Sequence, residues 1–186
     1  SLGHPAQQKR STRTPATDPS RWWPRAHATK RAIAECPTGT DLVGVMGGVS
    51  TGAYGKLAFS GFQPSSKQGL AMGRELADGT TANWSVTAHA ICMKAGSLRG
   101  LDQVLNVSSV DSSSFRSASA PCPDGKTVIS GGATVWNPDG TYAREVVLSN
   151  VSPWTNGKGA YAIASETING TSNTWYAVAY AICISN

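Results

Sequence analysis

The chain has 186 residues and a formal net charge of +5, from 16 Lys and Arg against 11 Asp and Glu. Residues 1–35 hold seven bases and two acids, while residues 36–186 hold nine of each. The excess charge therefore sits wholly in the first fifth of the chain, which excludes a globally basic nucleic-acid-binding body.

The length fits one domain or two small fused ones. No apolar run approaches the roughly 18 residues that a membrane helix needs. Only 15% of residues are charged, against roughly 25% in an average soluble domain, and there are 20 glycines. Low charge with many small hydroxylated residues and glycines is the habit of secreted all-β proteins. No signal-peptide pattern stands at residue 1, so a mature or trimmed form is expected.

The first element, residues 1–28, is predicted to be an extended basic arm. It contains Pro5, Pro15, Pro19 and Pro24 and almost no aliphatic side chains, so it cannot bury enough surface to fold alone. Its centre is Arg21-Trp22-Trp23-Pro24-Arg25. Trp supplies buried area and Arg supplies forked donors, the residue types enriched at binding hot spots. With Lys30 and Arg31 these residues form the predicted partner-binding set. An arm of this kind enters a groove by extended backbone pairing and side-chain pockets. Three competing readings have Trp22 and Trp23 packing on their own body, dibasic Lys9-Arg10 and Lys30-Arg31 marking a propeptide, or the arm contacting nucleic acid.

Two similar units follow. Cys36-Pro37-Thr38-Gly39 matches Cys122-Pro123-Asp124-Gly125, each followed by an apolar pair and a double glycine, Gly47-Gly48 and Gly131-Gly132. Ser60 precedes Pro64 as Ser149 precedes Pro153, and Gly79 precedes Trp84 as Gly170 precedes Trp175. Each unit closes on W-x-x-x-A-x-A-x-C, as Trp84 to Cys92 and Trp175 to Cys183. Matched spacings on this scale indicate tandem duplication. Repeat one is assigned to 29–92, a connector to 93–114 and repeat two to 115–183.

Each unit reads as β. Strand alternation puts Trp84, Val86, Ala88, Ala90 and Cys92 on one face, and Trp175, Ala177, Ala179, Ala181 and Cys183 likewise. The double glycines mark expected bulges or bends. Asn137-Pro138-Asp139-Gly140, Asn156-Gly157 and Asn169-Gly170 are turn signals. No segment has helical periodicity over three turns. The expected fold is all-β, two tandem repeats forming a sandwich or prism-like body with an extended N-terminal arm.

Four cysteines allow three pairings. The duplication selects Cys36–Cys92 and Cys122–Cys183, which implies an oxidising, extracellular compartment. Reduced, buried thiols are the alternative. No CxxC or HxxxH spacing suggests zinc, and no cofactor motif stands out.

Signals for catalysis are weak. His4 and His27 lie in the arm, and His89 is expected to be an ordinary strand residue. Gly44-x-x-Gly47-Gly48 lacks the Lys and the following helix of a phosphate loop. Glu145 and Glu166 could form a carboxylate pair, but acids on strands are mostly solvated. The expectation is a non-enzyme without cofactor or metal.

The paired C-P-x-G…G-G…W-x-x-x-A-x-A-x-C units resemble small secreted β proteins of actinobacteria over most of residues 29–183. With the basic, proline-rich leader, the chain resembles the adaptor subunits of actinobacterial umbrella toxin particles. The resemblance implies a secreted adaptor between a lectin-bearing subunit and the stalk of a large toxin. It also implies that the leader inserts into the cleft of a degenerate trypsin-like domain. The expected partners are thus protein subunits of a secreted complex, with neither nucleic acid nor a membrane span. A carbohydrate-binding module acting through Trp136, Trp154 or Tyr161 is the second choice, because repeat one lacks counterparts to Trp136 and Trp154. A third is a protease inhibitor presenting Arg21 or Arg25.

Overall fold

The computed structural model describes residues 28–51, 55–76 and 78–186. The predicted arm residues Arg21, Trp22, Trp23, Pro24 and Arg25 lie outside them. Eleven strands run in order: β1 (Thr29–Glu35), β2 (Thr40–Thr51), β3 (Leu57–Ser65), β4 (Gln68–Glu75), β5 (Trp84–Lys94), β6 (Asp102–Val107), β7 (Phe115–Pro121), β8 (Lys126–Trp136), β9 (Val146–Pro153), β10 (Gly159–Glu166) and β11 (Tyr176–Ser185). The protein is all-β, as expected, and among the described residues there is no helix.

The strands form antiparallel sheets of six (β1-β4-β3-β8-β11-β6), three (β7-β10-β9) and two (β2-β5). Pairings in residues 29–94 recur in residues 115–185. β1–β4, β4–β3 and β2–β5 correspond to β7–β10, β10–β9 and β8–β11. The halves meet where Gly61 and Phe62 of β3 pair with Thr134 and Ala133 of β8. A Cβ on Gly61 would lie 2.8 Å from Thr134 Cγ2, so only glycine allows this junction. Residues 93–114, expected to be only a connector, contribute β6, which pairs with β11 at the sheet edge.

Bulges also recur, but not at the double glycines. Val43 and Ile129 are the extra residues in β2–β5 and β8–β11. Ser60 and Ser149 are the extra residues in β3–β4 and β9–β10. The glycine doublets instead sit in regular register, and one glycine of each, Gly47 and Gly132, serves close packing. A Cβ on Gly47 would lie 2.5 Å from Ala71 Cβ, and one on Gly132 would lie 2.8 Å from Phe62 O. Nor do the doublets occupy equivalent positions. Gly47 pairs with Ala88, four residues after Trp84, whereas Gly131 pairs with Ala181, six after Trp175. The glycine changes strand across the exchange: Val45 presses on Gly69, while at the matching site Gly131 faces the smaller Ala160.

The larger core is a thin layer of methyl groups. Ala118, Ala120, Ala133, Ala160, Ala162, Ala164, Ala177, Ala179 and Ala181 pack with Trp175 at one end and Cys183 at the other. Small residues let the β7-β10-β9 sheet approach β8 and β11 closely. A smaller cluster joins Ala34, Ala71 and Ala88 beneath the β2-β5 pair. The alternation expected for β5 holds, with Thr87 and Ile91 exposed opposite Ala88. In β11 it fails: Val178, Tyr180 and Ile182 are buried as well. β11 lies between β8 and β6 within the large sheet, and Tyr180 lines a cleft together with Pro64, Ser65 and Ser66.

Both expected disulfides are present. Cys36–Cys92 and Cys122–Cys183 span Cα–Cα distances of 5.7 and 5.8 Å. They close loops with sequence separations of 56 and 61, each contributing about 4 kcal/mol in the chain-entropy model. Such bonds are compatible with an extracellular protein. Among the described residues no helix is long and apolar enough to cross a membrane.

Candidate functional site

The polar groups that survive burial are the natural place to look for chemistry. Two of them form matched pairs. Trp84 Nε1 donates to Glu75 Oε1 at 2.9 Å, and Trp175 Nε1 donates to Glu166 Oε1 at 3.2 Å. A cation accompanies each pair. Lys30 Nζ donates to Trp84 O at 2.7 Å and lies 4.5 Å from the centroid of the Trp84 ring. Arg116 pairs with Asp111, whose carbonyl accepts the Trp175 amide N–H at 2.9 Å. These contacts tie the start of β1 or β7 to the start of β5 or β11.

This accounts for several residues singled out in the sequence. Glu166 is a partner of Trp175. Glu145 accepts from Thr167 Oγ1 and, at 3.4 Å, from Asn169 Nδ2. Each carboxylate thus has its own hydrogen-bond partners, all of them in the connection between β10 and β11. Lys30 and Arg31, assigned to the partner-binding set, are residues of β1: Lys30 is half-buried against Trp84 and Arg31 is exposed. His89 lies on β5, opposite Met46 on the half-exposed side of the two-stranded sheet. Among the described residues no group of three His, Cys, Asp or Glu side chains could hold a metal ion.

Arg74 was not marked by the sequence. It is 2% exposed, and its Nη2 donates to Val146 O at the start of β9. Burial pulls its pKa down from the ordinary guanidinium range to about 10, and nearby Glu145 offsets part of that shift. Nε and Nη1 have no hydrogen-bond partner among the described residues. Its only sequence signal is an Arg at an inward position of an apolar strand, readable only once the strand's neighbours are known.

A cleft of about 230 Å³ opens between the halves, lined by Gln63, Pro64, Ser65, Ser66, Gln103, Val104, Leu105 and Tyr180. The Ser66 amide donates to Gln103 Oε1 at 2.9 Å, which ties the β3–β4 turn to β6. Burial holds the Tyr180 hydroxyl above its ordinary pKa, partly countered by its hydrogen bond with Thr134. No lining residue is charged.

The aromatic candidates are divided. Trp136 stacks on Tyr142 at 4.5 Å, and its Nε1 donates to Thr134 Oγ1 at 2.7 Å. Trp154 is half-buried at the β9–β10 hairpin. Tyr161 lies on the outer face of the three-stranded sheet, between Ser119 and Ser152. Comparison with protein-family models, curated proteins and solved structures finds no match to this chain.

Proposed function

We propose that this protein is a secreted, non-catalytic adaptor built on a duplicated β body. Its basic segment around Arg21, Trp22, Trp23, Pro24 and Arg25 enters a groove on a partner protein, while the body contacts a second subunit. One observation carries the reading. Lys30 is pinned to Trp84 on an edge strand, and residues 1–27 precede that anchor directly. A segment rich in Arg and Trp departs from a rigid point, with Arg31 and Ile33 exposed beside it. Fixing the base of an extended segment lowers the entropy lost when it docks.

The resemblance to umbrella toxin adaptors makes a degenerate trypsin-like domain the preferred groove. The experiment compares the full chain with a version lacking residues 1–27, against a trypsin-fold domain whose catalytic serine is replaced. Titration calorimetry should show binding only with the arm present. Equal binding by both forms sinks the arm reading. Cleavage of the arm or full inhibition of active trypsin would favour the inhibitor reading.

A second reading is favoured by the outer face of the β7-β10-β9 sheet. Tyr161 sits there among Ser117, Ser119, Ser149, Ser152 and Ser165, with no charged side chain at the outward positions. Hydroxyls beside an aromatic ring suit a neutral sugar. A glycan array without signal removes this reading.

A further inference from the structure

We infer that β6 is a self-pairing edge, and that the protein dimerises by antiparallel β6–β6 addition with Leu105 on the two-fold axis. The direction of the β6 backbone follows from one bond. The Ser108 amide donates to Ala177 O at 2.9 Å. The β11–β6 register runs without a shift from Val178↔Val107 to Cys183↔Asp102. Hydrogen-bonded pairs alternate along an antiparallel ladder, so Asn106 and Val104 also bond toward β11. Gln103, Leu105 and Val107 therefore aim their N–H and C=O groups outward. The Val107 amide fits this assignment, because it donates to its neighbour's Asn106 Oδ1 at 2.9 Å instead of to β11.

A free edge invites pairing unless charge, proline or a bulge blocks it. From Gln103 to Val110 β6 and its continuation contain no charged residue and no proline. Leu105 is 61% exposed, and Val107 and Val110 are each 51% exposed. The opposite edge of the same sheet, β1, carries Lys30, Arg31 and Glu35. The unguarded edge is therefore the apolar one.

A second copy is the occupant that these residues fit. A two-fold axis through Leu105 sets Leu105 against Leu105 of the second copy. It also sets Gln103 against its Val107 and Val104 against its Asn106. No like charges meet, which is what self-pairing requires. The outward groups of Gln103, Leu105 and Val107 all gain partners, and Asn106 releases the Val107 amide. Leu105 and Val107 leave water on the face that Tyr180 and Val178 share with them. The two six-stranded sheets then join edge to edge.

The test is the molar mass of the intact chain by light scattering after gel filtration, over the micromolar range. A mass about twice 19.3 kDa is expected for the wild type. Leu105→Lys places like charges on the axis and should elute as a monomer with unchanged circular dichroism. Met46→Lys, at another exposed apolar position, should remain dimeric. A monomeric wild type overturns the inference, and so does a dimer that survives Leu105→Lys.

Discussion

The indole N–H of Trp84 reaches the carboxylate of Glu75, nine residues upstream, over 2.9 Å, and Trp175 repeats the bond to Glu166 over the same nine residues. Each bond fastens the end of one strand to the start of another across an irregular turn. Hydrogen bonds to a charged group contribute about 1.5–3 kcal/mol. Trp84→Phe should lower stability by roughly that amount, since it strands a buried acceptor. Trp175→Ala should cost about 3–5 kcal/mol, because a fully buried indole leaves a cavity as well. Urea unfolding followed by circular dichroism measures both.

The disulfides should be similarly accessible. Each joins a buried cysteine, Cys36 or Cys183, to a half-buried one, Cys92 or Cys122. Under graded dithiothreitol the two should open over the same range, read by alkylation and peptide mass spectrometry. Removing either bond by paired Cys→Ser substitution should cost about 4 kcal/mol.

The adjacent glycines of β2 give a sharp contrast. A methyl on Gly47 meets Ala71 Cβ at 2.5 Å and the Thr87 backbone, while a methyl on Gly48 meets nothing within 4 Å. Gly47→Ala should destabilise by about 1–3 kcal/mol through overpacking. Gly48→Ala should be neutral or slightly stabilising, because it restricts the unfolded chain. Thermal melts of the two variants decide this.

Arg74 and Tyr180 should leave opposite marks at high pH. The Arg74 pKa falls in the fold from its ordinary value to about 10, so below pH 10 both states are charged and the cost of burial is constant. Above about 10 the native state loses its proton first, and that cost shrinks as pH rises. The stability gap between wild type and Arg74→Met should therefore shift in favour of the wild type above pH 10. The Tyr180 pKa is raised in the fold by burial, so its contribution is whole below 10.0 and declines as pH climbs above that value. Tyr180→Phe should remove that decline. Denaturant midpoints taken from pH 9 to 11 resolve both.

Some of this was readable from the chain. Period-2 alternation, turn glycines and the spacing of Cys36, Cys92, Cys122 and Cys183 depend on local geometry and covalent reach, and those the residues specify directly. The charge asymmetry too is a property of order along the chain. The double glycines misled, because a doublet signals a need for space without saying whose. Only packing showed that Gly47 yields to Ala71 and Gly132 to Phe62. The buried Arg74, the two-sided burial of β11 and the promotion of a connector to β6 depend on what lies across from each residue. Such contacts join Arg74 to Val146, 72 residues on, and Asp102 to Cys183, further still, where one strand's pattern carries no information about its neighbour. Local chemistry thus determined that the protein is a disulfide-closed β body whose excess positive charge lies in residues 1–35. Tertiary pairing decided which edge stays open, because edges are a property of the assembled sheet.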